Sequence, residues 1–162
     1  MSVGVSGMIC LNDGDIKSKE KVSLEVVKGA CDKKIGCKMG GNVSREIFEN
    51  YKNEIDKNIV LFELMDTPLD ITADELFCYQ TYDKSEKFTL TQRLRRVEGF
   101  LTEIMKNSII YKIIVDINYW DGFKEKTIEI KVDKFEKEVA SLYIEGSVHI
   151  PVVRVIVDKE DS

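Results

Sequence analysis

The sequence predicts an α+β domain with a mainly antiparallel sheet and helices packed on one face of that sheet. Three observations within residues 89–158 carry this prediction. A long run of alternating apolar residues leads into Asp121-Gly122, a dipeptide typical of two-residue turns between antiparallel strands. Apolar residues recur at helical spacing on both sides of this run, and a further apolar strand follows. The predicted order is therefore helix, strand, turn, strand, helix, strand.

The predicted hairpin has a register that can be checked. If Asp121 and Gly122 form the turn, residues equidistant from it face each other across the two strands. Three such pairs are apolar and share one face, because side chains alternate along a strand: Val115 with Ile128, Ile113 with Ile130, and Tyr111 with Val132. We expect this face to lie beneath the two flanking helices.

The first flanking helix is predicted to begin at Thr89 and to end near Lys106. Thr89 and Gln92 have the spacing of a capping box, in which each side chain bonds a main-chain amide of the first turn. The apolar residues that follow form one stripe along the helix. They are Leu90, Leu94, Val97, Leu101 and Ile104.

The second helix is shorter, and the last strand follows it. Asp133 is the expected N-cap, and Gly146 ends the helix. Its apolar face consists of Phe135, Val139 and Leu142. The last strand, from Val148 to Val157, is apolar on both faces, so a second layer of protein must cover each side of it.

The C-terminal part fits a ferredoxin-like order if one more strand precedes it. A strand at 77–82 would give β-α-β-β-α-β over residues 75–158. In that order the last strand lies at an edge of the sheet, where the missing amide of Pro151 is tolerated. A capping-box motif that begins at Thr72 favours the alternative, in which residues 73–80 form a helix.

The first part of the chain has a weaker pattern. Val3 to Leu11 and Lys21 to Val27 are predicted strands, and the glycine-rich stretch from Gly36 to Asn42 is a predicted loop. Ser44 is the expected N-cap of a helix, and Ile59 to Met65 is a further strand. The helix should direct four side chains inward: Ile47, Phe48, Tyr51 and Ile55.

The length favours one domain over residues 1–162. A subdivision into a β-rich half with one helix, 1–68, and a helix-hairpin-helix-strand half, 69–158, is the alternative. Because the last strand is apolar on both sides, either the N-terminal half or a second subunit is expected to cover its open face. Self-association through this C-terminal edge strand is therefore one expected mode of assembly.

Composition narrows the setting of the protein. The formal net charge of −5 argues against general binding of nucleic acid, because such binding depends on neutralising phosphates. No apolar run has the roughly 20 residues needed to span a bilayer, and Met1-Ser2-Val3 lacks the charged start of a signal peptide. We therefore expect a cytoplasmic protein without membrane contact. The bias toward lysine, isoleucine, asparagine and glutamate suggests a bacterial or phage source with an AT-rich genome.

The residues that could bind a metal or catalyse a reaction are few. Cys10, Cys31, Cys37 and Cys78 lack the spacing of a zinc site, and His149 is the one histidine. We expect reduced, mostly buried cysteines, no metal, no cofactor and no catalytic residue.

The glycine-rich stretch also resembles, in outline, a loop that binds phosphate. Gly40 and Gly41 precede the helix that Ser44 begins, and helix N-termini attract anions. The stretch lacks the lysine and serine of a nucleotide-binding loop and the spacing of a dinucleotide-binding loop. A flexible connection is the preferred interpretation.

Two surface features suggest a binding site for a partner. Arg93, Arg95 and Arg96 are concentrated in the first turns of the long helix, and arginine favours carboxylate or phosphate partners. The alternative is a solvated helix face.

The second feature is the aromatic group at the predicted turn. Its residues are Tyr119, Trp120 and Phe123. Aromatic side chains at a protruding turn are typical of interface hot spots. The alternative is that another part of the protein buries them.

These observations leave three classes of function. The preferred class is a non-enzymatic interaction protein, such as a toxin-neutralising immunity protein or a small regulator. The second is a structural or assembly protein of a phage or mobile element. The third is an enzyme or anion-binding module that combines the glycine-rich stretch with an arginine. A groove that joins Gly40 or Gly41 to an arginine would support the third class.

Overall fold

The computed structural model of the chain describes residues 4–33, 35–65, 84–118, 126–144 and 152–159. Within these ranges it contains six strands and four helices, which confirms the α+β class. In chain order they are β1 (Gly4–Leu11), α1 (Ile16–Asp32), β2 (Gly36–Met39), α2 (Arg45–Tyr51), β3 (Ile59–Met65), α3 (Lys84–Ile104), β4 (Ile110–Asn118), β5 (Lys126–Lys131), α4 (Phe135–Ile144) and β6 (Val152–Asp158). Single turns of 3-10 helix follow β2, at Gly40–Asn42, and β5, at Val132–Lys134.

The six strands form one sheet in the order β2-β3-β1-β4-β6-β5. Every neighbouring pair is antiparallel except β5 and β6, which are parallel. The helix α4 connects β5 to β6, so these three elements form a β-α-β unit, the connection that parallel neighbours require. Strands from both halves of the chain lie side by side, because β1 pairs with β4.

The predicted hairpin between β4 and β5 is wrong, because β6 lies between these two strands. Val115 is opposite Gly7 on one side and Val155 on the other, and Ile128 is also opposite Val155. The alternation of apolar residues determines which side chains share a face but not which strand is the neighbour. The predicted face is largely right: Ile113, Val115 and Val132 are buried, and Ile128 and Ile130 pack against the same core. Tyr111 is exposed, close to a shift in register between β1 and β4.

The prediction that the C-terminal strand lies at an edge of the sheet is also wrong. β6 has β4 on one side and β5 on the other, and the edges of the sheet are β2 and β5. Self-association through β6 as an edge strand is therefore excluded. Pro151 and the segment at 77–82, on which the ferredoxin-like order depends, lie outside the described residues.

The main core lies between the sheet and the three longer helices. From α1 it contains Val22, Val26 and Ala30, from α3 Leu94, Val97, Phe100, Leu101 and Ile104, and from α4 Phe135, Val139 and Ala140. The short helix α2 covers the other face, where Met8, Val43, Tyr51 and Leu61 form a second cluster. Gly7 is required in β1, because a side chain there would collide with the carbonyl oxygen of Ile114 and the ring of Phe62.

Several predicted elements are confirmed and others are corrected. The strand Ile59–Met65 and the N-cap Ser44, whose side chain accepts a hydrogen bond from the amide of Ile47, are confirmed. The strand predicted at Lys21–Val27 is wrong, because these residues lie within α1. The predicted loop from Gly36 to Asn42 contains β2. The helix α3 begins at Lys84, so Thr89 does not cap it, although the stripe from Leu94 to Ile104 is buried as predicted.

Candidate functional site

Within the parts of the chain that the structure describes, the edge of the sheet at β3 is only half covered. β2 pairs with residues 62–65 of β3 and ends there. Ile59, Val60 and Leu61 pair with β1 on one side, and no residue of β2 is opposite them on the other. Val60 belongs to the core beneath α1, whereas Ile59 and Leu61 belong to the cluster beneath α2. The uncovered half of β3 is thus an opening between the two layers of helix.

The chain leaves β2 at Gly40, which creates the opening. Gly40 has a φ angle of +55°, a left-handed conformation that side chains disfavour, and the 3-10 turn that begins there replaces the extended backbone of β2 before Ser44 caps α2. Gly41 follows, and a β-carbon at this position would meet no atom within 4 Å. The two glycines therefore form an open rim with no side chain over the uncovered strand.

We name this recess the edge groove; it has a volume of about 880 Å³. One wall is the flank of α1, and the other includes α2 and the chain after it. The floor is the uncovered half of β3. The apolar residues that line it include Ile16, Leu24, Val27, Phe48, Ile55 and Ile59.

The apolar side chains in this groove are unusually exposed. Ile16 is 70% exposed, Leu24 74%, Phe48 46% and Val27 39%. These are four of the five large apolar side chains that are exposed among the described residues; the fifth, Tyr111, lies elsewhere. Scattered exposed apolar residues are normal, but a contiguous group in a groove is typical of an interaction site.

The charged lining of the groove is small and basic on balance. It consists of Lys19 and Lys38 with Glu20, whereas the whole chain has a net charge of −5. Cys37 also lines the groove, and burial raises the pKa of its thiol to about 12. The thiol is therefore protonated at neutral pH and contributes to the apolar character of the groove.

A row of polar residues crosses the sheet beneath α2. Directly opposite one another on successive strands are Lys38, Glu63, Ser6, Asp116, Arg154 and Thr127. Ser6, Asp116 and Arg154 are buried in the centre of this row. A charged row inside a sheet is costly unless its members have partners. Asp116 and Arg154 bond each other, and residues in and beside α2 supply further partners.

The polar row bonds both ends of α2. At its start, the amide of Ser44 donates to Oε2 of Glu63 at 2.8 Å. At its end, the hydroxyl of Tyr51 donates to Oδ2 of Asp116 at 2.7 Å and lies 2.9 Å from the hydroxyl of Ser6. α2 therefore has a fixed position on the sheet, and this position sets one wall of the edge groove.

Arg154 completes the cluster. Its guanidinium donates to both carboxylate oxygens of Asp116, at 2.8 Å each, and to both of Glu54, at 2.8 and 3.3 Å. Burial alone lowers the pKa of Arg154, but the bonds to Asp116 and Glu54 outweigh burial and raise it. Burial, together with the nearby charge of Asp116, raises the pKa of Tyr51. Asp116 thus bonds both Tyr51 and Arg154, and Arg154 also bonds Glu54. We name these four residues the clamp, because their bonds hold α2 on the sheet.

The residues that the sequence suggested as a site lie elsewhere or outside the described parts. Arg95 and Arg96 are exposed, and Arg95 lies 3.8 Å from a carboxylate oxygen of Glu136. The side chain of Arg93 and residues Tyr119, Trp120 and Phe123 lie outside what the structure describes. Gly40 and Gly41 do line a groove, but no arginine is among the described residues around it.

Sequence reasoning missed both the groove and the clamp. For the groove, the missed signal was the helical spacing of Ile16, Leu24 and Val27, which marks a second apolar stripe on α1 beside its buried stripe. For the clamp, it was a charged residue flanked by apolar residues in each of two strands, Asp116 in β4 and Arg154 in β6. Opposite charges at the centres of two buried strands indicate a buried ion pair.

Among the described residues, no group of three or more histidine, cysteine, aspartate or glutamate side chains could hold a metal ion. Within the same parts of the chain, none of the helices has the length and apolar character required to cross a bilayer.

Comparison with models of protein families, with curated proteins and with solved structures finds no match.

Proposed function

We propose that the protein is a non-enzymatic interaction protein that binds an apolar segment of a partner protein in the edge groove. The observation that carries the proposal is the concentration of exposed apolar side chains there. Ile16, Leu24, Val27 and Phe48 face one recess, while the remaining described exposed apolar side chain lies outside it. Burial of their exposed surface against a partner favours a complex by roughly 25 cal/mol per Å² of apolar area, before the entropic cost of association is subtracted.

The polar chemistry of the molecule also supports binding rather than catalysis. Among the described residues, the buried carboxylate of Asp116 bonds both the guanidinium of Arg154 and the hydroxyl of Tyr51 beneath α2. In the edge groove the charged groups are Lys19, Glu20 and Lys38, and the cysteine has a raised pKa. This lining favours burial of apolar surface over general acid–base chemistry.

A peptide selection tests the proposal. The chain is immobilised, and a library of short random peptides displayed on phage is selected against it. Enriched peptides are then synthesised, and their dissociation constants are measured by calorimetry. We expect enrichment of apolar peptides whose affinity falls at least about tenfold for a Leu24→Lys, Phe48→Lys double variant, because the variant places two charges at the contact.

A matched control is Tyr111→Lys, which changes the exposed apolar residue outside the groove. We expect it to bind the selected peptides with the affinity of the unchanged chain. Failure to enrich any peptide, or equal affinity for the groove variant and the unchanged chain, would contradict the proposed function.

A further inference from the structure

We infer that the occupant of the edge groove is an extended segment that adds to β3 as a strand, in line with β2. This inference rests on the proposed function and specifies the form of the partner. β2 covers residues 62–65 of β3 and stops, so the uncovered residues 59–61 continue the same edge. A strand in the groove would complete the outer row of the sheet.

The main chain of β3 is oriented for such an addition. The amide of Leu11 donates to the carbonyl of Asn58 at 2.8 Å, so Asn58 directs its carbonyl toward β1, while its amide donates to Oδ1 of Asp56. Main-chain groups alternate in direction along an antiparallel pair. Ile59 and Leu61 therefore direct theirs away from β1, toward the groove. The amide of Ile59 already donates to Asp56 at 3.2 Å, which leaves its carbonyl facing the groove.

The two walls specify the side chains of the occupant. Side chains of an added strand would alternate between the wall of α1, with Leu24 and Val27, and the wall of α2, with Phe48 and Ile55. Both walls are apolar, so the segment is apolar at successive positions rather than at every second one.

Charge indicates a partner protein rather than a second copy of the chain. Lys19 and Lys38 outnumber Glu20 in the lining, so an acidic residue beside the apolar segment is favoured. A second copy paired through the same edge would place two linings of the same net positive charge against each other. The inferred occupant is therefore an apolar partner segment flanked by aspartate or glutamate.

A scan of the selected peptides with N-methylated amides tests the binding mode. Each peptide is synthesised with one amide methylated at a time, and its affinity for the unchanged chain is measured. A strand directs every second amide at β3, so we expect methylation at alternate positions to weaken binding about tenfold. The positions between should change affinity less than about twofold.

A variant that blocks the edge groove provides a second test of the inference. Gly41→Leu places a side chain at the open rim of the groove and should abolish peptide binding. Gly99→Leu is the matched control, because a β-carbon at either glycine meets no atom within 4 Å, and Gly99 lies on α3. Unchanged binding by Gly41→Leu would overturn the inference.

The other outcomes are distinguishable. One outcome is that methylation of consecutive amides lowers affinity equally, while the Leu24→Lys, Phe48→Lys variant still loses binding. This outcome would indicate a helical occupant. It would overturn the inferred strand addition but not the proposed binding in the edge groove. A dimer of the chain by sedimentation that this variant dissociates would identify a second copy as the occupant. Absence of any peptide that binds would contradict the proposed function itself.

Discussion

The two faces of the sheet are covered in different ways. On one face, α1, α3 and α4 bury rows of aliphatic and aromatic side chains, with Phe100, Phe135 and Val155 fully inaccessible. On the other face, α2 is seven residues long, and Tyr51 is its one buried residue. Here the contacts between helix and sheet include hydrogen bonds to Glu63, Asp116 and Ser6.

The two faces therefore have different roles: one mainly stabilises the fold, and the other mainly determines the position of α2. Apolar burial is large and has no preferred direction, so the face beneath the three longer helices contributes the larger share of the free energy of folding. Hydrogen bonds and ion pairs are directional, and they fix where α2 lies. Because Phe48 on α2 faces the edge groove, the polar row also fixes the shape of the groove.

The largest effect is expected on the apolar face. Phe100→Ala removes a fully buried ring from the centre of the main core. We expect the free energy of unfolding to fall by about 4 kcal/mol, from lost burial and from the cavity left behind. Urea denaturation followed by circular dichroism measures this loss. A loss below about 1 kcal/mol would show that the apolar face is not the main source of stability.

A slightly smaller effect is expected from breaking the clamp. Arg154→Met removes the cation that bonds Asp116, which is buried, and Glu54, which is 36% exposed. We expect a loss of about 3 kcal/mol in the free energy of unfolding, because an unpaired buried charge is costly.

The matched control is the double variant Asp116→Asn, Arg154→Met. It removes both charges of the buried pair, so its loss should be smaller than the sum of the two single losses by at least about 1 kcal/mol. Additive losses would indicate that the pair does not act as a unit.

A moderate, pH-dependent effect is expected at Tyr51. Its folded pKa is raised above the ordinary value of about 10, so its contribution to stability is fully present below about pH 10 and is lost as the pH rises further. Tyr51→Phe should lose about 1 kcal/mol at pH 7 and show a smaller decline in stability above pH 10 than the unchanged chain. Parallel pH profiles of the two proteins would contradict the raised pKa.

The smallest effect is expected in the edge groove. Leu24 is 74% exposed, so Leu24→Lys should change the free energy of unfolding by less than about 0.5 kcal/mol. Thermal unfolding measures this value, with Val22→Lys on the buried stripe of the same helix as the contrast. A large loss for Leu24→Lys would show that the groove is part of the core rather than a binding surface.

Local signals in the sequence were sufficient where one face of an element is buried. Ser44 and the strand at Ile59–Met65 were predicted because a cap and an apolar run act within a few residues. The strand prediction for Lys21–Val27 failed because Val22, Val26 and Val27 favour strands individually, while the four-residue spacing of Val22, Val26 and Ala30 indicates a helix.

Local signals could not predict which strands pair or where the edge groove lies. The apolar alternation of β4, β5 and β6 would allow any two of these strands to be neighbours. The placement of β6 beside β4 depends on tertiary contacts. The edge groove depends on where β2 stops relative to β3, which is a difference in length between two paired strands. Neither relation is local in the sequence.

Amide hydrogen exchange on the complex with a selected peptide tests the central claim most directly. The account predicts slower exchange on binding at Gly40–Asn42 and at the outward-directed amide of Leu61, with no change along β5, the other edge of the sheet. Protection confined to β5, with the amides around β3 unchanged, would contradict the account.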